Sequence, residues 1–260
     1  MRSRPVEAPQ VPFAVTDDAV LGGRLKLLQP VRGHRAGHDA ILLAAAAPKG
    51  GHAVDLGAGV GAAGLALITR GAARTVTLVD NDRDLLRLAS ANAERNGFAD
   101  RVETATGDIE RVGRRGGPPR PAAASADVVI MNPPFNDPET RRASPDPSRR
   151  RAHATPDENL VHWIAAAERI LKGGGRLVLI HRPDAIATVL ALLQGPFGAV
   201  EIIPVHAKAA GTAIRIIVRA QKGKRTAPVM RPGFVLAGDD ERPTYEAEEV
   251  LRGVAPLDPT

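Results

Sequence analysis

The chain has 260 residues, 43% of them hydrophobic, enough to bury a substantial core and too apolar for a chain that stays disordered. It has no cysteine, which excludes disulfides, thiolate nucleophiles and sulfur-ligated metals and suits a reducing cytoplasm. The net charge of +6 is compatible with a polyanionic partner, but an Arg-rich chain reaches such a value without one, so the position of the charge matters more. No apolar run approaches the roughly 18 residues of a membrane span and the first residues lack a signal pattern, so a soluble, cytoplasmic protein is expected.

Residues 1–10 carry two prolines and no apolar period and read as a loose tail. Val15 to Leu21 and Leu25 to Gln29, broken by Gly22-Gly23, predict a β-hairpin with a two-residue turn. Ala40 to Ala47 predicts a short buried cap helix with Asp39 as its N-cap. From His52 onward, strands and helices alternate. The strands are His52 to Leu56, Arg74 to Val79, Arg101 to Ala105, Asp127 to Met131, Arg176 to His181, Val200 to Val205 and Ala213 to Arg219. The helices are Val60 to Arg70, Asp84 to Asn96, Asn159 to Leu171 (closed by Gly173 to Gly175) and Ala185 to Leu193. This predicts an α/β fold: a seven-stranded, mainly parallel sheet covered on both faces. The link from Pro204 to Thr212 is too short for a crossover helix, so the last strand should run antiparallel.

Three stretches break the alternation. Arg111 to Ala124 is a basic Gly/Pro loop, and Asn136 to Thr155 is a second loop rich in arginine. After Gly238 the chain is an acidic tail. The division expected is a tail at 1–10, hairpin and cap helix at 11–48, the main domain at 49–237 and the acidic tail at 238–260.

The motif Asp55-Leu56-Gly57-Ala58-Gly59-Val60-Gly61 sits where a strand hands over to a helix, where glycines permit a tight turn and close approach of a ligand. Gly59 to Gly64 also matches the dinucleotide fingerprint, with Asp80 (followed by Asn81) suitably placed for a ribose. The turn alone therefore leaves nicotinamide cofactors and S-adenosylmethionine both open. Asp55 tilts the choice, because its carboxylate suits an ammonium group and repels a pyrophosphate. Asp108, between Gly107 and Ile109, is placed either to accept from the cofactor's adenine or to cap a helix.

Asn132-Pro133-Pro134-Phe135 follows a buried strand, at the carboxyl edge where open α/β sheets bind ligands. The prolines stiffen the turn, so that the Asn132 side-chain oxygen and the Pro133 carbonyl become two fixed acceptors. An exocyclic amine offers two N–H donors, and accepting both orients its nitrogen and favours rehybridisation during attack, without a strong base. Phe135 offers a stacking face, worth about 1–3 kcal/mol per base.

With these motifs the chain resembles the small-domain amino-methyltransferases, and within them it is similar to the bacterial valine-tRNA adenine-N6 methyltransferases. The resemblance covers about residues 16–220, through Gly37-His38-Asp39 to Leu43, Asp55 to Gly61, Asp80, Gly107-Asp108, Asn132 to Phe135 and the Arg-rich stretch before Pro156. It implies a Rossmann-like class I fold, S-adenosylmethionine as cofactor and methyl transfer to an adenine amine in RNA, with tRNA expected. It also implies that Gly37, His38 and Asp39 touch the methionine end of the cofactor, although the family usually has Thr at the position of His38. Pro134, Arg149, Arg150, Arg151 and His153 would face the RNA, the arginines holding phosphates without reading sequence.

Other readings carry less. His34 and His38 have a helical metal spacing, but flanking glycines and the lack of a third ligand argue against a metal site. Trp163 falls at apolar helical spacing and reads as core. Protein-glutamine methyltransferases share the Asn-Pro-Pro-aromatic motif but usually carry a long helical N-terminal domain. A small-molecule O-methyltransferase has no evident use for Asn132, and a non-catalytic RNA-binding relative has no need to keep Asp55, Asp80 and Asn132 together. Oligomeric state is not indicated.

Overall fold

A computed structural model describes residues 9–32, 35, 37–117, 120–134 and 156–258; Phe135, Arg149, Arg150, Arg151 and His153 lie outside the described residues. The chain opens with an antiparallel hairpin of β1 (Val15–Val20) and β2 (Leu25–Pro30). Its link is four residues rather than the two expected. Leu21 leaves the strand at φ 54 so that its side chain, 2% exposed, drops into the core, and Gly22 and Gly23 complete the turn at φ 64 and 86.

The main sheet contains β3 (Gly50–Leu56), β4 (Ala73–Asp80), β5 (Val102–Thr106), β6 (Ala126–Met131), β7 (Leu171–His181), β8 (Phe197–Lys208) and β9 (Ala213–Lys222). Their spatial order is β8-β9-β7-β6-β3-β4-β5, with β9 antiparallel between β7 and β8 and the neighbours from β7 to β5 parallel. The strand order reverses between β3 and β6, which creates the crevice that ligands of such sheets occupy. The seven expected strands are present, with longer ends. Two short strands, β10 (Val229–Met230) and β11 (Phe234–Ala237), add in parallel to the outer side of β8.

Side chains alternate across the strands into two cores. On one face Ala53, Val76, Leu78, Ile130 and Ile180 pack with α1 (His38–Ala46), α2 (Ala62–Thr69) and α3 (Arg83–Arg95). On the other face Val54, Leu56, Val129 and Met131 pack with α4 (Pro156–Ile170) and α5 (Ile186–Leu193). Gly173 to Gly175 do not close α4. The helix runs straight into β7, and the glycines absorb an irregularity between the pairs Ala126–Leu171 and Val128–Arg176.

Asp39 is not a helix cap either. Gly37 occupies the N-cap position without a side-chain bond, and the Asp39 carboxylate is drawn to the Arg215 guanidinium at 2.8 Å.

The acidic stretch after Gly238 folds back on the domain. Thr244 caps α6 (Tyr245–Leu251), whose Ala247 and Val250 join the α1 core, and the Leu257 amide donates to the Ala45 carbonyl at 2.9 Å. Arg219 fastens this return by donating to the carbonyls of Ala46 and Leu257 and pairing with Asp258 at 3.1 Å. A cavity of about 370 Å³ beside this clasp, lined by Pro48, Arg219 and Asp258, lies at the end of the sheet remote from Asn132. No helix among the described residues is long and apolar enough to cross a membrane.

Candidate cofactor and substrate site

The carboxyl ends of β3, β4 and β6 build the site. After β3 the chain turns through Gly57, Ala58, Gly59 and Gly61, with the amides of Gly57 and Ala58 donating to Val79 O at 2.8 and 2.9 Å. The glycines are required for different reasons. A Cβ on Gly57 would lie 2.4 Å from Trp163 Cη2, and one on Gly61 would lie 2.8 Å from Leu78 Cδ1. Both positions have positive φ, at 70 and 84, and are fixed by the protein's own packing. At Gly59 (φ 54) an added Cβ would meet nothing within 4 Å, so this position opens onto free space where a ligand can approach the backbone. Gly64 packs α2 onto the sheet, where a Cβ would lie 2.3 Å from Leu78 Cδ2. That is the role of the third fingerprint glycine.

Asp80, at the end of β4, ties this turn down: its Oδ2 accepts from Gly59 N at 2.8 Å and its Oδ1 from Asp82 N at 2.9 Å. Each oxygen keeps lone-pair capacity for a further donor. Asn81 follows it and is exposed. Asp55 is 3% exposed, and its Oδ2 accepts from Gly64 N at 2.8 Å. Burial pushes its carboxyl up to about 7; the Gly64 hydrogen bond opposes the shift and the Asp80 charge adds to it.

Asn132 follows β6 on the same side of the sheet. Its Oδ1 is buried and has no hydrogen-bond partner among the described residues. A buried acceptor left unpaired costs free energy comparable to a lost hydrogen bond, so this oxygen is a candidate to accept from a ligand. Pro133 is buried and Pro134 exposed.

A cavity of about 300 Å³ is lined by Asp55, Gly57, Ala58, Gly59 and Asn132 on the sheet side and by Gly37, His38 and Asp39 at the start of α1, while Gly61, Asp80, Asn81 and Pro133 do not line it. Arg35 and Arg215 complete its rim, each fixed by a carboxylate, Asp18 at 2.7 Å and Asp39 at 2.8 Å. Gly107, Asp108 and Ile109 do not line it. They stand at the end of the neighbouring strand β5, connected through Gly107 N to Asp80 O at 2.9 Å. There the Asp108 Oδ1 accepts from Glu110 N at 2.9 Å, closing a turn; no helix follows it, so it is not the helix cap the sequence allowed.

The sequence reading passed over Arg215, whose signal was a lone cation inside the apolar run Ala213 to Val218, and Arg35. It also read Trp163 only as core, whereas the indole edge is what forces a glycine at position 57. Among the described residues no group of three potential metal ligands occurs. His34 lies outside them.

Comparison with known proteins bears on this geometry. The methyltransferase small-domain family matches residues 36–209. The tRNA1(Val) (adenine(37)-N6)-methyltransferase of Porphyromonas gingivalis is 32% identical over 166 residues, covering 58% of this chain and 60% of that protein. The ribosomal protein L11 methyltransferase of Sorangium cellulosum is 36% identical over 102 residues, 36% of this chain and 32% of that protein. The chain thus spans less than two thirds of these relatives. Among solved structures, the predicted O-methyltransferase Atu636 of Agrobacterium tumefaciens superposes with a TM-score of 0.66 at 27% identity, covering 84% of this chain and 97% of its own. A 16S rRNA N2-guanine methyltransferase from T. Thermophilus, solved with AdoMet and guanosine, shares the fold at a TM-score of 0.52 and 20% identity, with 83% and 46% covered. The sheet order, the glycine turn and the family match over two thirds of its length agree: the chain belongs to the methyltransferase small-domain family, with the Rossmann-like fold of class I S-adenosylmethionine-dependent methyltransferases.

Proposed function

We propose that the protein transfers a methyl group from S-adenosylmethionine to the exocyclic amine of an adenine in RNA, with tRNA as the substrate and the cytoplasm as its place of work. The observation that carries this reading is the buried, unpaired Asn132 Oδ1 facing the same cavity as Asp55 and Gly59. The residues present fit the cofactor. The buried Asp55 carboxylate offers a counter-charge to an ammonium, Gly59 leaves room beside the backbone, and Asp80 has acceptor capacity for ribose hydroxyls. When bound, S-adenosylmethionine supplies a methyl group on a positively charged sulfur. The chain's own part is positional and electrostatic. Asn132 Oδ1 accepts one N–H of the amine and the Pro133 carbonyl is offered to the other, which holds the nitrogen in line without removing a proton beforehand. Two acceptors suit an amine with two hydrogens; a hydroxyl acceptor has one and would leave the second acceptor idle. The P. gingivalis relative's tRNA adenine specificity and the Asn-Pro-Pro turn support the RNA assignment together.

The test uses purified protein, isotope-labelled S-adenosylmethionine and separate pools of undermodified tRNA, ribosomal RNA and protein extract, with the labelled product digested and identified by mass spectrometry. Label in N6-methyladenosine from tRNA is the expected outcome. Label in ribosomal RNA, in a protein amide or amine, or in a small molecule would retain the methyl-transfer reading and sink the tRNA one.

A further inference from the structure

The crossover from β5 to β6 begins in a compact basic turn at Asp108 to Gly117, and this turn is firmly built. Asp108 closes its first step, Arg114 N donates to Arg111 O at 3.1 Å, and Gly117 N donates to Arg114 O at 3.0 Å. A Cβ on Gly117 would lie 2.2 Å from Arg111 O, so the turn is tightly folded on itself. Arg169, from the last turn of α4, braces it from below by donating to Val112 O at 3.1 Å and Ile109 O at 3.2 Å.

Three guanidinium groups project from this scaffold. Arg111, Arg114 and Arg115 are exposed, and among the described residues none has a carboxylate partner, whereas Arg120, in the same crossover, is paired with Glu103 at 2.6 Å. Arg169 beside them is disfavoured in its charged form by burial and then by the nearby Arg114, with Glu168 opposing. Exposed guanidinium groups on a fixed turn, without carboxylate partners, remain available to an anion such as a phosphate. The crossover leaves the sheet edge that carries Asn132 at Gly107, bonded to Asp80 O, and runs down to the end of α4, so the arginines stand on the flank of the domain toward the opposite edge. We propose that Arg111, Arg114 and Arg115 form a docking surface for the phosphate backbone of the RNA substrate, gripping a part of it away from the base delivered to Asn132.

This proposal rests on the RNA reading above, and its test separates the two. An unmodified valine-tRNA transcript is titrated by filter binding across a salt series, and methyl transfer to it is followed separately. For R111A/R114A/R115A, the Michaelis constant for the transcript is expected to rise about tenfold, with kcat within about twofold and binding weakened alike for other tRNA transcripts, as loss of phosphate contacts requires. The plot of log affinity against log salt should flatten by about 2 to 3 units, near one per lost contact. R111K/R114K/R115K should keep most of the affinity and the salt slope, because a lysine ammonium still neutralises a phosphate as a point charge. Cofactor affinity by calorimetry should be unchanged in both variants, and their exposed positions leave the fold intact. Unchanged affinity and salt slope in the alanine variant, with methylation of the transcript retained, would overturn the docking surface and leave the proposed function standing. A wild-type protein that neither binds nor methylates the transcript would remove both.

Discussion

Two asparagines differ in how completely the described residues satisfy them. Asn92 on α3 is completely buried, accepts from Leu28 N at 2.7 Å, and donates to Leu28 O at 3.1 Å and Val60 O at 3.0 Å. It joins the hairpin, the glycine-turn segment and α3, and its hydrogen-bonding capacity is nearly used up inside the protein. Asn132 has a buried oxygen that nothing among the described residues satisfies. A folded chain tolerates such a group where something outside the chain completes it. The contrast teaches that the incomplete amide, more than the buried one, marks the site.

Substitutions sharpen this contrast. Asn132→Ala is expected to lower kcat by about 10²–10³ while leaving cofactor affinity within about twofold and stability unreduced, because no internal hydrogen bond is lost. Single-turnover kinetics and calorimetry on the same preparation check it, and unchanged turnover would remove the amine-orienting role. Asn92→Ala should do the opposite. Three buried backbone groups lose their partner, so stability should fall by about 3 kcal/mol in urea titration with turnover per folded molecule kept. A large catalytic defect there would break the distinction. The smallest effect concerns Asp55. Its carboxyl, raised to about 7 by burial, holds a proton more tightly folded than unfolded. The stability this brings is complete below about pH 4 and disappears as pH rises through about 7. A cofactor ammonium favours the ionised form, so cofactor binding should tighten about fivefold between about pH 6 and 7. Asp55→Asn should flatten both profiles, and a wild-type affinity independent of pH would mean that the ammonium lies elsewhere.

The legible parts of the molecule were those in which local chemistry and global fold agree. The glycine turn after β3 was readable because its backbone needs φ values that few other residues take, and the stiff turn after β6 because prolines leave few conformations. Partnerships across the chain were hidden. Asp39 looked like a cap, yet it serves Arg215, 176 residues away. α6 read as part of an acidic tail because only two of its seven residues, Ala247 and Val250, are buried, and their docking place on α1 lies some 200 residues earlier. β10 and β11 are too short to show a period and exist by leaning on the free side of β8.

Trp163 is the chain's only tryptophan, and its ring edge lies against the position that must remain glycine for the cofactor turn to form. Intrinsic fluorescence excited at the red edge therefore comes from one indole, seated beneath the loop that a ligand would contact. A ligand that settles on this turn should therefore shift the emission of a single indole, a local optical gauge in unlabelled protein.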